Sequence, residues 1–360
     1  MVKKILIITS EFPPEPGGIG NHAYNLSKYL SLKKYEVSVL ADRRNRISTS
    51  FDNQQLFQIY RIDLKKLRVF MYINRLINGF KLIKKHDIII TSGKFSLWLG
   101  ALGSLFFKKK FIAVIHGTEV NFNNYFLNKS IAISLKRYNS VIAVSEYTKS
   151  LVFKLKLKRC NVIFNGFEAY EKPIKIKEND TYPNIITVGS VTERKGQKNV
   201  IESLPQLIKE FPTIHYHVIG MPNEKKKYVA LAKKLKVNNH ITFYGKVNND
   251  EKYSLLAQND IFVMLSNHTK VGDVEGFGIA ILEANSLGVP AIGSEKCGIE
   301  DAIDNNNSGI IINPKDHLAF KKSILTILKN SSKFSKNAKK WSSNFTWNKV
   351  INEYINEIEF

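Results

Sequence analysis

Two cysteines in 360 residues, Cys160 and Cys297, supply neither a disulfide framework nor a Cys-x-x-Cys metal site. A reducing, cytoplasmic compartment suits such a chain. Long apolar runs are also missing. The stretch 95–107 spans 13 residues, short of the roughly 20 needed to cross a bilayer. After Met1-Val2-Lys3-Lys4, the run Ile5-Leu6-Ile7-Ile8 stops at Thr9-Ser10-Glu11. That is too brief for a signal-peptide core and reads as a buried strand. No spaced G-x-G-x-x-G is present, so a nicotinamide cofactor is not implied. No Asp-x-Asp pair stands out. Asp273 is a lone acid near Glu275, and the expectation is no catalytic metal and no cofactor.

Acidic residues are scarce too: 31 Asp and Glu against 54 Lys and Arg, a net charge of +23. Residues 1–175 hold 30 cations and 11 acids (+19), and residues 176–360 hold 24 and 20 (+4). A compositional bias towards lysine would act on both halves. The asymmetry therefore points to an anionic partner for the first half. No nucleic-acid-binding motif accompanies the charge, so nucleic acid is not expected as that partner.

The length suits two domains, each with its own core. Strand-like runs at 3–9, 35–41, 87–91, 111–116, 140–144 and 161–164 alternate with helical patterns at 21–32, 65–85, 95–107, 125–138 and 145–156. The alternation resumes with strands at 185–188, 215–219, 241–244, 261–264, 291–293 and 309–312. Helical patterns there fall near 196–210, 224–236, 250–257, 279–287, 299–304 and 316–329. Such alternation predicts α/β domains with parallel sheets. The expected division is a first domain over 1–168, a linker over 169–183, a second domain over 184–340 and an amphipathic helix over 341–360.

Four segments carry candidate chemistry. Gly17-Gly18-Ile19-Gly20 follows the first strand and opens a helix; it puts backbone N–H groups at a sheet's carboxyl edge, where open α/β folds hold ligands, or is a plain turn. His116-Gly117-Thr118-Glu119 follows a strand directly. Its histidine can face a cleft and hydrogen-bond substrate, or be structural. In the turn 189–196, Arg194 and Lys195 can neutralise a diphosphate, or be a solvated basic turn. Glu275 and Glu283 stand eight positions apart around Gly276-Phe277-Gly278, before an apolar helix. A helix N-terminus seats a phosphate, and carboxylates on either side can accept hydrogen bonds from sugar hydroxyls. The plainer reading is a loop–helix junction with two surface glutamates.

Together with Val144-Ser145-Glu146, Asn165-Gly166-Phe167, Gly245-Lys246-Val247, Gly288-Val289-Pro290 and Phe345-Thr346-Trp347, these segments run in order along nearly the whole chain. The set resembles the signatures of the retaining glycosyltransferases of the glycosyl transferases group 1 family (family 4). The resemblance implies a GT-B fold: two Rossmann-like domains with parallel sheets facing a central cleft, and a C-terminal helix crossing back to the first. It implies a hexose-type transfer, with retention, from a UDP- or GDP-linked sugar to an acceptor hydroxyl. The donor is a substrate, and no metal is needed. Gly18 and its neighbours would touch the diphosphate, and Lys195 with Arg194 would bind it. Glu283 would hold the ribose and Glu275 the transferred sugar. The Phe277, Gly278 and Ile279 backbone would contact sugar and phosphate. Lys246 and Val247 would border the base, and His116 would sit beside the anomeric carbon. One departure is Ser190, where many members carry arginine. A nucleotide-sugar epimerase or a non-catalytic homologue could share the architecture. An epimerase would need no acceptor, and a non-catalytic copy would more plausibly have lost Glu275, Glu283 or Lys195.

The segment 64–85 has seven cations among bulky apolar residues and no acid. Phe106-Phe107-Lys108-Lys109-Lys110 adds aromatics beside a basic cluster. Lys84, Lys85, Phe106, Phe107, Lys108, Lys109 and Lys110 are the expected membrane-facing residues, because basic amphipathic helices bind anionic leaflets. A core-facing helix with a solvated back is the alternative. The expectation is a peripheral protein on the inner face of the cell membrane, with a lipid-linked or saccharide acceptor.

Overall fold

Runs such as Ile5-Leu6-Ile7-Ile8 and Phe111-Ile112-Ala113-Val114-Ile115 are apolar at successive positions, so both faces of each strand must be covered. The computed structural model describes residues 2–15, 17–43, 48–63, 68–174 and 180–360. It covers those strands with helices in two separate units, Met1–Gly166 with Trp347–Phe360, and Phe167–Thr346.

The first unit runs β1 (Lys4–Thr9), α1 (Gly18–Leu32), β2 (Glu36–Arg43), α2 (Ser48–Asp52), β3 (Gln58–Asp63), α3 (Arg68–Lys85), β4 (Ile88–Ser92), α4 (Lys94–Phe106), β5 (Lys110–Ile115), α5 (Tyr125–Leu135), β6 (Ser140–Ala143), α6 (Glu146–Val152) and β7 (Cys160–Val162). Its strands are parallel, in the order β3-β2-β1-β4-β5-β6-β7. Ile5 on the central strand pairs with Val37 on one side and Ile88 on the other. Ile5, Leu6 and Ile7 are fully buried, each burial contributing about 1.5–3 kcal/mol.

The second unit runs β8 (Asn184–Val188), α7 (Gln197–Glu210), β9 (His215–Ile219), α8 (Lys225–Lys234), β10 (Ile241–Gly245), α9 (Asn249–Ala257), β11 (Ile261–Met264), α10 (Ile279–Ser286), β12 (Ala291–Ser294), β13 (Gly309–Ile312), α11 (His317–Lys329) and α12 (Ser331–Ser342). Its parallel sheet has the order β10-β9-β8-β11-β12-β13. In each unit the winding reverses once, between β1 and β4 and between β8 and β11. The crevice outside the carboxyl ends of those strands is where open α/β sheets hold ligands.

The last helix, α13 (Trp347–Glu359), belongs to the first unit and packs on α1, with Trp347, Val350, Ile351, Tyr354 and Ile358 buried. The helix expected over 341–360 is thus two elements. The chain leaves α12 at Ser342, makes a 3-10 turn at Ser343–Phe345 and is extended at Thr346. Trp341 donates to the Ala302 carbonyl (3.1 Å) in the second unit, whereas Trp347 is buried in the first. The helix expected over 299–304 is a 3-10 turn, Gly298–Ala302.

Strand β3 and helices α2 and α12 have no counterpart in the sequence reading. β3 is an edge strand with one buried residue, Ile62. α12 reads as a polar, Lys- and Ser-rich segment whose buried positions are Phe334, Ala338 and Ser342, four apart. Of the segment 169–183, residues 175–179 lie outside the described residues. Tyr170 is fastened to the second unit, stacking on Tyr253 (4.3 Å) and donating to Asp250 (3.0 Å).

Candidate functional site

In the second unit the loops after β8 and β11 meet at the reversal of winding. Gly196, at the start of α7, has φ +73°, and a β-carbon there would lie 1.7 Å from the Leu265 carbonyl oxygen. No L side chain fits, so the two loops touch through backbone. Asn199 donates to the Leu265 carbonyl (2.8 Å) and to Asn267 Oδ1 (3.0 Å), and the Asn267 N–H donates to the Arg194 carbonyl (2.9 Å).

On this frame sits a charge cluster. Glu275 is buried and paired with Lys195 (Nζ–Oε2 2.9 Å) and with Arg194, which also reaches Asp273 (3.0 Å). Burial alone would raise the Glu275 carboxyl. Lys195 and Arg194 outweigh it and hold the group below the usual carboxylate range. Glu275 in turn raises the Arg194 guanidinium. The Lys195 ammonium lies 4.0 Å from Met264 Sδ, at the end of β11. Two cations and two carboxylates make the cluster electrically balanced.

Beyond Glu275 the chain turns through Gly278, at φ +96°, into α10. Phe277 points into the core against Phe345 (5.9 Å), so only its backbone can serve a ligand. Ile279 opens α10 half-buried. Glu283, one turn on, accepts from Lys252 of α9 (2.8 Å). Lys246 is exposed and Val247 half-buried in the turn after β10. Cys297 lies nearby but is buried, which pushes its thiol up to about 12 and leaves it unreactive.

In the first unit, Gly18 is exposed at the start of α1, with open space where a side chain would stand. His116 follows β5, and its Nε2 shares a hydrogen bond with Ser92 Oγ at the end of β4 (2.9 Å). Its backbone N–H donates to Glu119 Oε1 (2.7 Å). Burial lowers the imidazole to about 4 and raises the Glu119 carboxyl to about 7. His116 is therefore neutral at physiological pH and can donate or accept a hydrogen bond, but carries no charge. Its ring stands edge-on to His22, with centroids 5.0 Å apart.

The structure divides the residues expected to face a membrane. Lys84 and Lys85 at the end of α3, Phe106 at the end of α4 (67% exposed) and Lys108 are at the surface. Phe107 turns inward onto Phe80 (5.7 Å). Lys109 reaches Asp87 (3.9 Å). Lys110 donates to the carbonyls of Glu357 (2.7 Å) and Ile358 (3.0 Å), closing the end of α13. These three are half-buried and held by protein partners, because β5 begins at Lys110 and draws the preceding residues towards the core. Arg75 is also buried, bonded to Asp42 (2.9 Å). Residues 64–67 lie outside the described residues. What remains on α3 and α4 is an exposed apolar face of Val69, Phe70, Ile73, Ile77, Leu105 and Phe106, with Lys81, Lys84, Lys85 and Lys108 also exposed. No described helix is long and apolar enough to cross a membrane. Among the described residues no group of three His, Cys, Asp or Glu is placed to hold a metal.

Sequence reasoning missed the partners of these side chains. Ser92 lies 24 positions from His116, and Lys252 lies 31 from Glu283. No local pattern joins them. Only Asp273, two residues from Glu275, was within reach of inspection.

Residues 169–344 match the family described as Glycosyl transferases group 1, and residues 16–169 match Glycosyltransferase Family 4. A GDP-mannose-dependent alpha-(1-6)-phosphatidylinositol monomannoside mannosyltransferase of Mycobacterium tuberculosis is 24% identical, over 86% of this chain and 85% of that protein. A glycogen synthase of the same organism is 21% identical, over 96% and 92%. Among solved structures, sucrose-phosphate synthase from Thermosynechococcus elongatus superposes with a TM-score of 0.81 at 17% identity, covering 99% of this chain and 98% of that one. Anabaena Alr3699/HepE in complex with UDP-glucose gives 0.81 at 17% identity, covering 99% of both. These structural likenesses show a shared GT-B fold.

Proposed function

This chain belongs to the glycosyl transferases group 1 family, and we propose that it moves a hexose-type sugar, with retention, from a UDP- or GDP-linked donor to an acceptor hydroxyl. The observation that carries this reading is Glu275 shared between Lys195 and Arg194 at the reversal of winding, just ahead of the α10 N-terminus. An incoming diphosphate supplies anionic oxygens that compete for both cations and frees Glu275 towards the sugar. The backbone of Phe277, Gly278 and Ile279, at the positive end of the helix dipole, meets phosphate and sugar. Glu283 takes the ribose hydroxyls, with Lys246 and Val247 at the base. Gly18 leaves room for the diphosphate, and His116 hydrogen-bonds the sugar beside the reacting carbon. Lys195 and Arg194 cover the place of the arginine replaced by Ser190.

The acceptor oxygen bonds to the anomeric carbon on the face the phosphate leaves, and its proton passes to a phosphate oxygen. Neither an enzyme nucleophile nor a metal takes part; positioning and charge stabilisation lower the barrier. Thermal unfolding with UDP, GDP, UDP-glucose and GDP-mannose tests the donor assignment. Saturation at a hundredfold over Kd is expected to add about 2.7 kcal/mol of stability. A midpoint unmoved by all four at millimolar concentration removes the assignment.

The exposed α3–α4 face supports a lipid-linked acceptor on an anionic, cytoplasmic leaflet. Relatives act on both kinds of acceptor by name, a phosphatidylinositol mannoside in one case and glycogen in another. Co-sedimentation with vesicles rich in anionic lipid is expected, weak with neutral vesicles and lost as salt rises. Each surface cation contributes on the order of 1 kcal/mol. Replacing Lys81, Lys84, Lys85 and Lys108 by serine is therefore expected to weaken binding at least about tenfold, with Lys110 left to close α13. Unchanged sedimentation of that variant would make the face ordinary solvated surface and favour a soluble acceptor.

A further inference from the structure

Three aromatic side chains from distant parts of the chain, His116, Trp347 and Tyr354, surround the buried His22 ring. His22 of α1 lies edge-on to His116, and His22 Nε2 shares a hydrogen bond with the Tyr354 hydroxyl of α13 (2.8 Å). Trp347 of α13 also lies against His22, with ring centroids 5.4 Å apart. His22 and Tyr354 are both fully buried, and no hydrogen-bond partner reaches His22 Nδ1 among the described residues.

The His22–Tyr354 bond is not needed to fasten α13. Glu357 is held by Arg159 (3.0 Å) and Asn161 (2.8 Å), Glu359 by Tyr35 (2.7 Å) and Lys3, and the final carbonyls by Lys110. Val350, Ile351 and Ile358 bury the apolar side of the helix. Two apolar side chains of similar size would add to that packing without the cost of burying an imidazole and a phenol. What only the polar pair supplies is a fixed rotation of the His22 ring, and that ring is the wall against which His116 rests.

We propose that His22 and Tyr354 are positioning residues. Through them the C-terminal helix fixes the His22 ring, and this ring together with Ser92 restricts His116 to one orientation towards the sugar. The inference rests on the reading above that His116 acts at the reacting carbon.

The test uses Tyr354→Phe, the double variant His22→Leu with Tyr354→Phe, and His116→Ala, all in the full chain. Turnover is read as nucleoside diphosphate release from UDP-glucose or GDP-mannose, whichever the parent cleaves. Tyr354→Phe strands a buried imidazole, so both melting temperature and turnover are expected to fall. The double variant removes both polar groups and is expected to regain the parental melting temperature. Its turnover is expected to stay at least tenfold down at unchanged donor KM. The His116 ring resonance, assigned by its loss in His116→Ala, is expected to shift in the double variant. Turnover that returns together with stability, or parental turnover in Tyr354→Phe, overturns the inference. Parental turnover in His116→Ala would instead overturn the reading it rests on. A dead His116→Ala beside a fully active double variant sinks the positioning role alone.

Discussion

Replacing His116 by alanine is expected to lower turnover by at least about a hundredfold while donor affinity stays within a few-fold, the pattern of a contact that tightens in the transition state. The expectation follows from how firmly the side chain is held. Ser92 engages the ring at Nε2, Glu119 fixes the backbone N–H, and His22 stands against the ring edge. A group so placed can meet the developing charge without reorganising. Burial lowers the imidazole to about 4. His116 itself is therefore expected to contribute no inflection near the usual histidine value of about 6.5, its protonation beginning only well below that; Glu119, raised by burial to about 7, is the neighbouring group that titrates there. Steady-state kinetics beside a calorimetric donor titration measures both quantities. A variant with near-parental turnover would make His116 a structural residue.

Glu275→Gln is expected to act in two directions at once. It removes the charge that balances Arg194 and Lys195 and leaves their side chains in place. Breaking a buried ion pair on one side costs about 3–5 kcal/mol. Arg194 keeps Asp273, and its side chain is one-quarter exposed, so a loss nearer about 2 kcal/mol of folding stability is expected. UDP or GDP then meets a cluster with one net positive charge, on Lys195, and is expected to bind tighter, by about 1–2 kcal/mol. Transfer is expected to fall at least about a hundredfold, because the contact to the sugar is lost. Lys195→Ala should move nucleotide affinity the other way, weakening it by about 1–3 kcal/mol. Glutamine and alanine variants that bind nucleoside diphosphate alike would show that the cluster does not meet the diphosphate.

These expectations draw on two kinds of information. Strand and helix order was readable because parallel strands buried on both faces are continuous apolar runs, and Ile5–Ile8, Phe111–Ile115 and Ile261–Met264 are all of that kind. Edge strand β3 and the polar helix α12 lacked that signal, since each buries little of itself. The loops that bear Gly18, His116, Lys195 and Glu275 were readable as loops, because each follows a strand or opens a helix and so stands at a sheet edge by chain order alone.

Order along the chain does not say which loops touch. Glu275 reads as a surface glutamate until β11 is placed beside β8, which brings it to two cations 80 and 81 positions away. His116 reads equally as structural or functional until β4 and α1 bring Ser92 and His22 to it. The membrane segment shows the same limit in reverse. Lysine and phenylalanine at 106–110 look alike in composition, yet the start of β5 turns Lys110 into a helix closure and leaves Lys108 in solvent. Periodicity and composition determined the elements, because backbone pairing and burial act on neighbours in sequence. The tertiary structure decided the partners, because a charge or a hydrogen bond depends on distance in space, and crossover connections carry residues tens of positions apart to the same sheet edge.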